Sequence, residues 1–331
     1  MKRRHKKRPS RAGALPAAIL LFVLLWAGTG RFSPFSSAPM PDLPASDEPE
    51  GLVWESESVF FQECDLPEYV PPQQAETPVY DIAGKSGNYE SRGTVYFKNQ
   101  TKYTIDMPSL LKKESPVSLG TEGVQVLIMH THGTEAYEPS PDHRYTASGD
   151  HRTTDSTCNM LAVGQVICDI LNARGISAVH STTLNDYPAY NGAYNRALKD
   201  INSYINQYPS VQLVIDVHRD AIGTAGNYYK TSAEVDGTQT AQLMFVTGTD
   251  AGGLDHPHWR DNLAFQAQLH DRINSLYPGL MRPISIRTSR FNQHIRTGSM
   301  LVEVGACGNT LEEAEAAAAI FASELANTLT E

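Results

Sequence analysis

The chain has 331 residues, 40% of them hydrophobic, and a formal net charge of -10; that is enough apolar material for one or two packed domains. The charge is uneven: Lys2, Arg3, Arg4, Lys6, Lys7, Arg8 and Arg11 are seven of the 27 basic residues, no acidic residue precedes Asp42, and the remainder sets 20 basic against 37 acidic groups, or -17. A body that acidic lacks the basic face needed to displace counterions from a phosphate backbone, so no nucleic-acid partner is expected.

The basic head, residues 1–11, stands directly before an uncharged apolar run from Ala12 to Gly28. Basic residues stay on the cytoplasmic side, so residues 12–30 are expected to form a single transmembrane anchor with the rest of the chain extracytoplasmic. The run is short against the roughly 20 residues of a bilayer core, and a cleaved signal peptide is the competing reading. Residues 31–93 are rich in Pro, Ser, Asp and Glu and predict an extended spacer. The body is expected over residues 94–331.

Thr94 to Ile105 predicts a strand pair turning at Asn99-Gln100, and Val124 to Met129 a buried strand. Asn159 to Arg174 has apolar residues at near-helical spacing and is stopped by Gly175. A short strand is expected at Ile176–Val179, a helix at Tyr190–Gln207 and a nearly continuous apolar strand at Val211–Val217. Two strands flank Asp236-Gly237 between Tyr228 and Val246. A helix at Arg260–Leu276 stops at Pro278-Gly279, and Ser299–Val304 is a strand. Thr310-x-x-Glu313 is a capping box opening the last helix. Strands alternating with helices predict an α/β fold: a mixed, mostly parallel sheet with helices on both faces.

Three strands end in residues that a core would not hold: His130-Thr131-His132-Gly133-Thr134-Glu135, then Asp216-Val217-His218-Arg219-Asp220, then Val302-Glu303-Val304-Gly305. Ligands of such sheets sit beyond the carboxyl ends of strands. Imidazoles and a carboxylate converging on one rim suit zinc with an open position, and a carboxylate outside the ligand set can take a proton from water. Taken singly, the His-x-His pair could be structural, Asp216, His218 and Asp220 a buried ion cluster, and Glu303 the partner of an arginine.

His256-Pro257-His258-Trp259 suits a rigid aromatic wall facing substrate better than a metal. Gly248 to Gly253 lacks the lysine and spacing of a phosphate loop, and no Gly-x-Ser-x-Gly elbow is present. Cys64, Cys158, Cys168 and Cys307 form no Cys-x-x-Cys and imply no disulfide framework.

The stretches VLIMHTHGTEAY, RTTDSTCNMLAVG, LVIDVHRDA, MFVTGTD with the following HPHW, YPGLMRPI, RFNQH and LVEVGACGNTLEEA occur in this order. From Thr94 onward the sequence resembles the stage II sporulation protein P family of endospore-forming Firmicutes. The family looks like a branch of zinc-dependent N-acetylmuramoyl-L-alanine amidases described as both amidases and endopeptidases. The resemblance implies an amidase-like fold, zinc as cofactor and peptidoglycan as substrate. It also implies a sporulation role in engulfment, with stage II sporulation proteins D and M as partners.

By that resemblance His132 and His218 are zinc ligands, and Glu303, in Glu-Val-Gly-x-x-x-Asn, is the catalytic glutamate. The amidase glutamate ligand falls here on the shorter Asp155, four residues before Asn159; His130 and Glu135 are the alternative third ligands. Arg219 or Arg290 would neutralise an oxyanion or a stem-peptide carboxylate, with Arg290, Gln293 and Trp259 as substrate-binding candidates. Two other classes stay open: a metallopeptidase acting only on crosslinks, and a noncatalytic wall-binding scaffold.

Overall fold

The apolar runs become the strands of one eight-stranded sheet in a computed structural model, which describes residues 89–330 apart from 148–149 and 225–226. In chain order the elements are β1 (Glu90–Arg92), β2 (Val95–Asn99), α1 (Met107–Leu111), β3 (Val126–Met129), α2 (Met160–Ala173), β4 (Ala178–His180), α3 (Ala193–Gln207), β5 (Leu213–Asp220), β6 (Gly223–Thr224), β7 (Asn227–Tyr228), β8 (Ser232–Val235), β9 (Thr238–Ala241), β10 (Leu243–Thr247), α4 (Trp259–Leu276), β11 (Ile284–Ile286), a 3-10 turn (Gln293–Ile295), β12 (Met300–Ala306) and α5 (Leu311–Thr330). The basic head, the 12–30 anchor and nearly all of the spacer lie outside the described residues. Among the described residues no helix is long and apolar enough to cross a membrane.

The sheet runs β1-β2-β11-β10-β12-β5-β3-β4. β4, β3, β5 and β12 are parallel to one another, β10 is antiparallel to β12, and β11 and β2 run parallel to β10. The mixed, mostly parallel sheet expected from the sequence is therefore present. Alternation along each strand divides the core between two faces. Val126, Ile128, Leu213, Ile215, Val217, Met300, Val302 and Val304 pack with α2, α4 and α5 on one face. Leu127, Met129 and Val214 pack with Ala197 and Ile201 of α3 on the other.

Local chemistry sets the ends. The Asn159 side chain accepts from Leu161 N at the start of α2. Thr310 Oγ1 accepts from Glu313 N while Glu313 Oε2 accepts from Thr310 N, the reciprocal capping box expected from the sequence. Asp236 and Gly237 both take positive φ between β8 and β9, the turn geometry that matches strand twist.

The first hairpin differs from its expectation. It turns at Gly93, with φ of +62°, and joins β1 to β2, so the body begins before Thr94 and takes the last residues assigned to the spacer. Asn99-Gln100 instead ends β2: the Asn99 side-chain oxygen accepts from Thr101 N and Oγ1, an Asx turn that leads the chain out of the sheet.

Candidate metal and catalytic site

Because β3, β5 and β12 are parallel neighbours, their carboxyl ends share one edge. On β5 the odd positions from Leu213 to Val217 face the three-helix side, so Asp216 and His218 face the side of α3. On β12 the same alternation puts Leu301 and Glu303 on that side. Glu303 and His218 are register partners across the β5–β12 ladder.

His132 follows β3 by three residues and reaches the same place. Its ring centroid lies 5.3 Å from that of His218, nearly perpendicular to it. Both histidines are buried, at 6% and 4% exposure. Glu135 closes the group: its Oε2 lies 3.4 Å from His218 Nδ1 and accepts from Arg219 N. On the far side of His218, Asp216 Oδ1 lies 2.8 Å from Nε2. Asp216 is itself fixed by Thr131, which donates from N at 2.8 Å and from Oγ1 at 2.6 Å.

The charges follow from this packing. Burial opposes a charge on His218, but Asp216 and Glu135 on either side hold its pKa well above the imidazole range. Burial also opposes ionisation of Glu135, and the His218 hydrogen bond and Arg219 overcome it, keeping the carboxylate well below its usual range. His132 goes the other way, pushed down to about 4, first by burial. Glu303 is pushed up to about 8 by burial and by the Asp220 carboxylate, and its Oε2 is buried with no hydrogen-bond partner among the described residues. A carboxyl poised there is equipped to exchange a proton near neutral pH.

Among the described residues no group of three His, Cys, Asp or Glu side chains is placed to hold a metal ion. By residue type alone, His132, His218 and Glu135 supply two imidazoles and one carboxylate, a donor set that zinc sites use; His132 Nδ1 has no hydrogen-bond partner, whereas both ring nitrogens of His218 face carboxylates.

The remaining sequence candidates divide sharply. Asp155 lies on an exposed turn, where its Oδ1 accepts from Thr157 N and Oγ1 and its Oδ2 faces Cys158 Sγ, so its carboxylate is engaged by its own turn neighbours. His130 turns to the three-helix face, with Nδ1 against Val217 O at 2.9 Å and Nε2 against His180 Nε2 at 2.8 Å. Arg219 is buried and donates to three carbonyls, Ala136 O, Asp150 O and His151 O, bracing the 136–151 segment rather than facing a substrate. Gln293 is equally committed: its amide bridges Val246 O and Gly248 N. Trp259 is 1% exposed and stacks on Tyr103 in the core, so it forms no substrate wall. Arg290 is partly exposed, and its guanidinium donates to Asp255 O.

Four residues that the strand ends did not announce complete the rim. Asp186 accepts from Thr134 N and Oγ1 and lies 3.8 Å from His132 Nδ1. Arg152 bridges Asp186, at 2.8 Å, to Glu135, at 3.4 Å. Tyr190 stacks on His132 with centroids 4.5 Å apart and planes 4° from parallel, and Tyr194 meets the same ring edge-on at 5.7 Å. The signals for these groups are faint in the sequence: a lone acid in a loop, an arginine in another, and tyrosines at the start of an amphipathic helix.

A family model described as stage II sporulation protein P matches residues 58–326. The chain belongs to this family. It is 26% identical over 224 residues to the stage II sporulation protein P of Bacillus subtilis (strain 168), a match covering 62% of this chain and 51% of that protein. The chain thus spans about half the length of the curated relative it matches. Among solved structures, it is similar to an N-acetylmuramoyl-L-alanine amidase of Nostoc punctiforme, at 15% identity and a TM-score of 0.36 over 65% of this chain and 100% of the other. It is also similar to an N-acetylmuramoyl-L-alanine amidase from Clostridium difficile 630, at 14% identity and a TM-score of 0.34 over 63% and 98%.

The Glu-Val-Gly-x-x-x-Asn stretch around Glu303 has a structural half. A bulge interrupts the β5–β12 ladder between Glu303 and Ala306. Gly305 sits there at φ of +69°, and a Cβ would come within 2.8 Å of Asn309 Oδ1 and 2.9 Å of Ala241 Cβ. Asn309 Oδ1 accepts from Ala306 N and Thr231 N. Glycine and asparagine thus shape the bulge that ends the strand just beyond Glu303.

Proposed function

We propose that this chain is a peptidoglycan hydrolase that cleaves the N-acetylmuramoyl-L-alanine amide, and stem-peptide crosslinks with it, during engulfment in sporulation. The observation carrying this reading is the placement of Glu303, a half-buried residue whose Oε2 is buried and unpartnered, register-paired with His218 and on the same sheet edge as His132. In this reading His132, His218 and Glu135 hold a zinc ion, Glu135 taking the part expected of Asp155 from the sequence. Bound zinc would polarise the scissile carbonyl and lower the pKa of water.

The protein's own groups do the rest. Glu303 accepts a proton from the attacking water and delivers it to the leaving amine. Asp216 fixes the orientation of the His218 ring, as outer partners of metal-bound imidazoles do. Arg152 holds Glu135 and Asp186 in place, and Tyr190 holds the plane of His132.

The same proposal includes export behind the 12–30 anchor with the amino terminus cytoplasmic, and association with stage II sporulation proteins D and M. One observation favours a noncatalytic wall-binding scaffold: His218 is already neutralised by two carboxylates. Elemental analysis of the purified chain, with dye release from labelled sacculi, separates the readings. The hydrolase reading expects zinc and release in the wild type and neither in His218→Ala. Mass spectra of the digest then separate the bonds cut, lactoyl termini marking the amidase and shortened bridges the peptidase.

A further inference from the structure

The loop from Asn185 to Gly192, between β4 and α3, runs along the edge of the metal-type site and is braced at both ends. Asn185 Nδ2 donates to His130 O at 3.0 Å, and the Asp186 carboxylate is held by Thr134 and Arg152. From α3, the Arg196 guanidinium donates to the carbonyls of Asn185, Ala189 and Asn191. One rigid fork spread over three carbonyls fixes the path of the loop.

What the braced loop displays is aromatic. Tyr187 is 48% exposed and Tyr190 51%, two of the four exposed large hydrophobic side chains among the described residues. Scattered exposed side chains are ordinary, but two within four residues on a fixed loop beside a reactive centre mark a binding surface. Both stand next to His132. Asp186 lies 3.8 Å from His132 Nδ1, and Tyr187 follows it by one Cα step, about 3.8 Å. The Tyr190 ring stacks on His132 with centroids 4.5 Å apart, and half of the residue still meets solvent.

The surrounding groups select the occupant. Arg152 is engaged by Asp150, Asp186 and Glu135, and Arg196 by the loop carbonyls, so neither cation is left over for a peptide carboxylate. Because those carbonyls already accept from Arg196, an extended peptide finds few acceptors for its own N–H groups along this loop. A neutral pyranose ring fits better. Its face presents electropositive C–H bonds, which the negative face of a phenol ring attracts, and its hydroxyls lie at the edge. In the hydrolase reading the scissile amide hangs from an amino sugar, so a pyranose must lie beside His132.

We infer that Tyr187 and Tyr190 form a saccharide subsite that holds the amino-sugar ring on the acyl side of the scissile amide. This deepens the hydrolase reading and rests on it for the position of that bond. The test uses the full chain carrying Glu303→Gln, so that the probe stays intact. Calorimetry compares a synthetic N-acetylmuramoyl tripeptide with the same tripeptide carrying a lactoyl group in place of the sugar.

The sugar-bearing probe is expected to bind about tenfold tighter, in line with one stacked ring. Tyr187→Ala, at an exposed position, and Tyr190→Ala should each bring the ratio down to about threefold or less, while Tyr187→Trp keeps it. Tyr190→Ala also loosens His132, so the ratio of the two probes, not the affinity of either, reports the sugar contact. Equal binding of the two probes to the parent, no binding of either, or an undiminished ratio in a folded Tyr187→Ala overturns the subsite. If the preference is present and depends on the tyrosines while the wild type leaves sacculi intact, the subsite stands and the hydrolase reading fails.

Discussion

Glu303 and His218 occupy paired positions on two adjacent parallel strands, with their side chains on the same face of the sheet. The pairing ties a basic ring, held between Asp216 and Glu135, to a carboxyl that has no partner for one of its oxygens. A rigid ladder therefore sets their separation, and no loop motion is needed to assemble them.

Replacing Glu303 with Gln keeps the shape and removes the base. Sacculus hydrolysis should fall by about 10²–10⁴-fold with bound zinc unchanged by elemental analysis. Turnover near the wild-type rate would remove Glu303 from the proton-transfer role.

The same substitution has a stability signature in metal-stripped protein. Glu303 is raised from 4.5 to about 8, so its contribution is fully present below pH 4.5 and is lost as pH rises through 8. The glutamine amide of the variant does not ionise. Urea melts with chelator should therefore show Glu303→Gln gaining on the wild type above pH 4.5 and levelling off above pH 8. A constant gap across that window contradicts the burial argument.

In the proposed zinc reading Glu135, whose Oε2 lies 3.4 Å from His218 Nδ1, takes the third position in place of Asp155. Zinc stoichiometry and activity should collapse in Glu135→Gln and stay near wild type in Asp155→Asn, whose carboxylate caps its own exposed turn. The reverse pattern would restore Asp155.

Asp216→Asn keeps the Thr131 contacts in outline but weakens the hold on His218. Zinc affinity, followed by competition with a coloured chelator, should drop about 10–100-fold. An unchanged affinity would reduce Asp216 to a packing residue.

Gly164 tests the opposite face. An added Cβ would lie 2.5 Å from His130 Nε2 and 2.6 Å from His180 Nε2, and both rings are held by their mutual contact. Gly164→Ala should cost about 1–3 kcal/mol in urea unfolding, with activity per folded molecule retained. Loss of zinc in this variant would return His130 to the ligand set.

Much of this architecture is written in the chain. The apolar run of β3 and β5, broken by histidine and carboxylate at the strand end, announces both a buried strand and a reactive rim, because a core admits such groups only for a reason. The capping box at Thr310 and Glu313 and the turn at Asp236-Gly237 are local chemistry and are legible for the same cause. What the linear order left open was decided by loops folding back on the sheet. Glu135 lies on a bridge to Arg152 and Asp155 opens a turn, and periodicity does not say which one points inward. Asp186, Arg152 and Tyr190 arrive at His132 from distant parts of the chain. Arg219, Gln293 and Trp259 carry the right chemistry for a site but commit it to backbone groups and core packing. Side-chain type limits what a residue can do, whereas burial and the nearest partner determine what it does, and both of those exist only after the strands have paired.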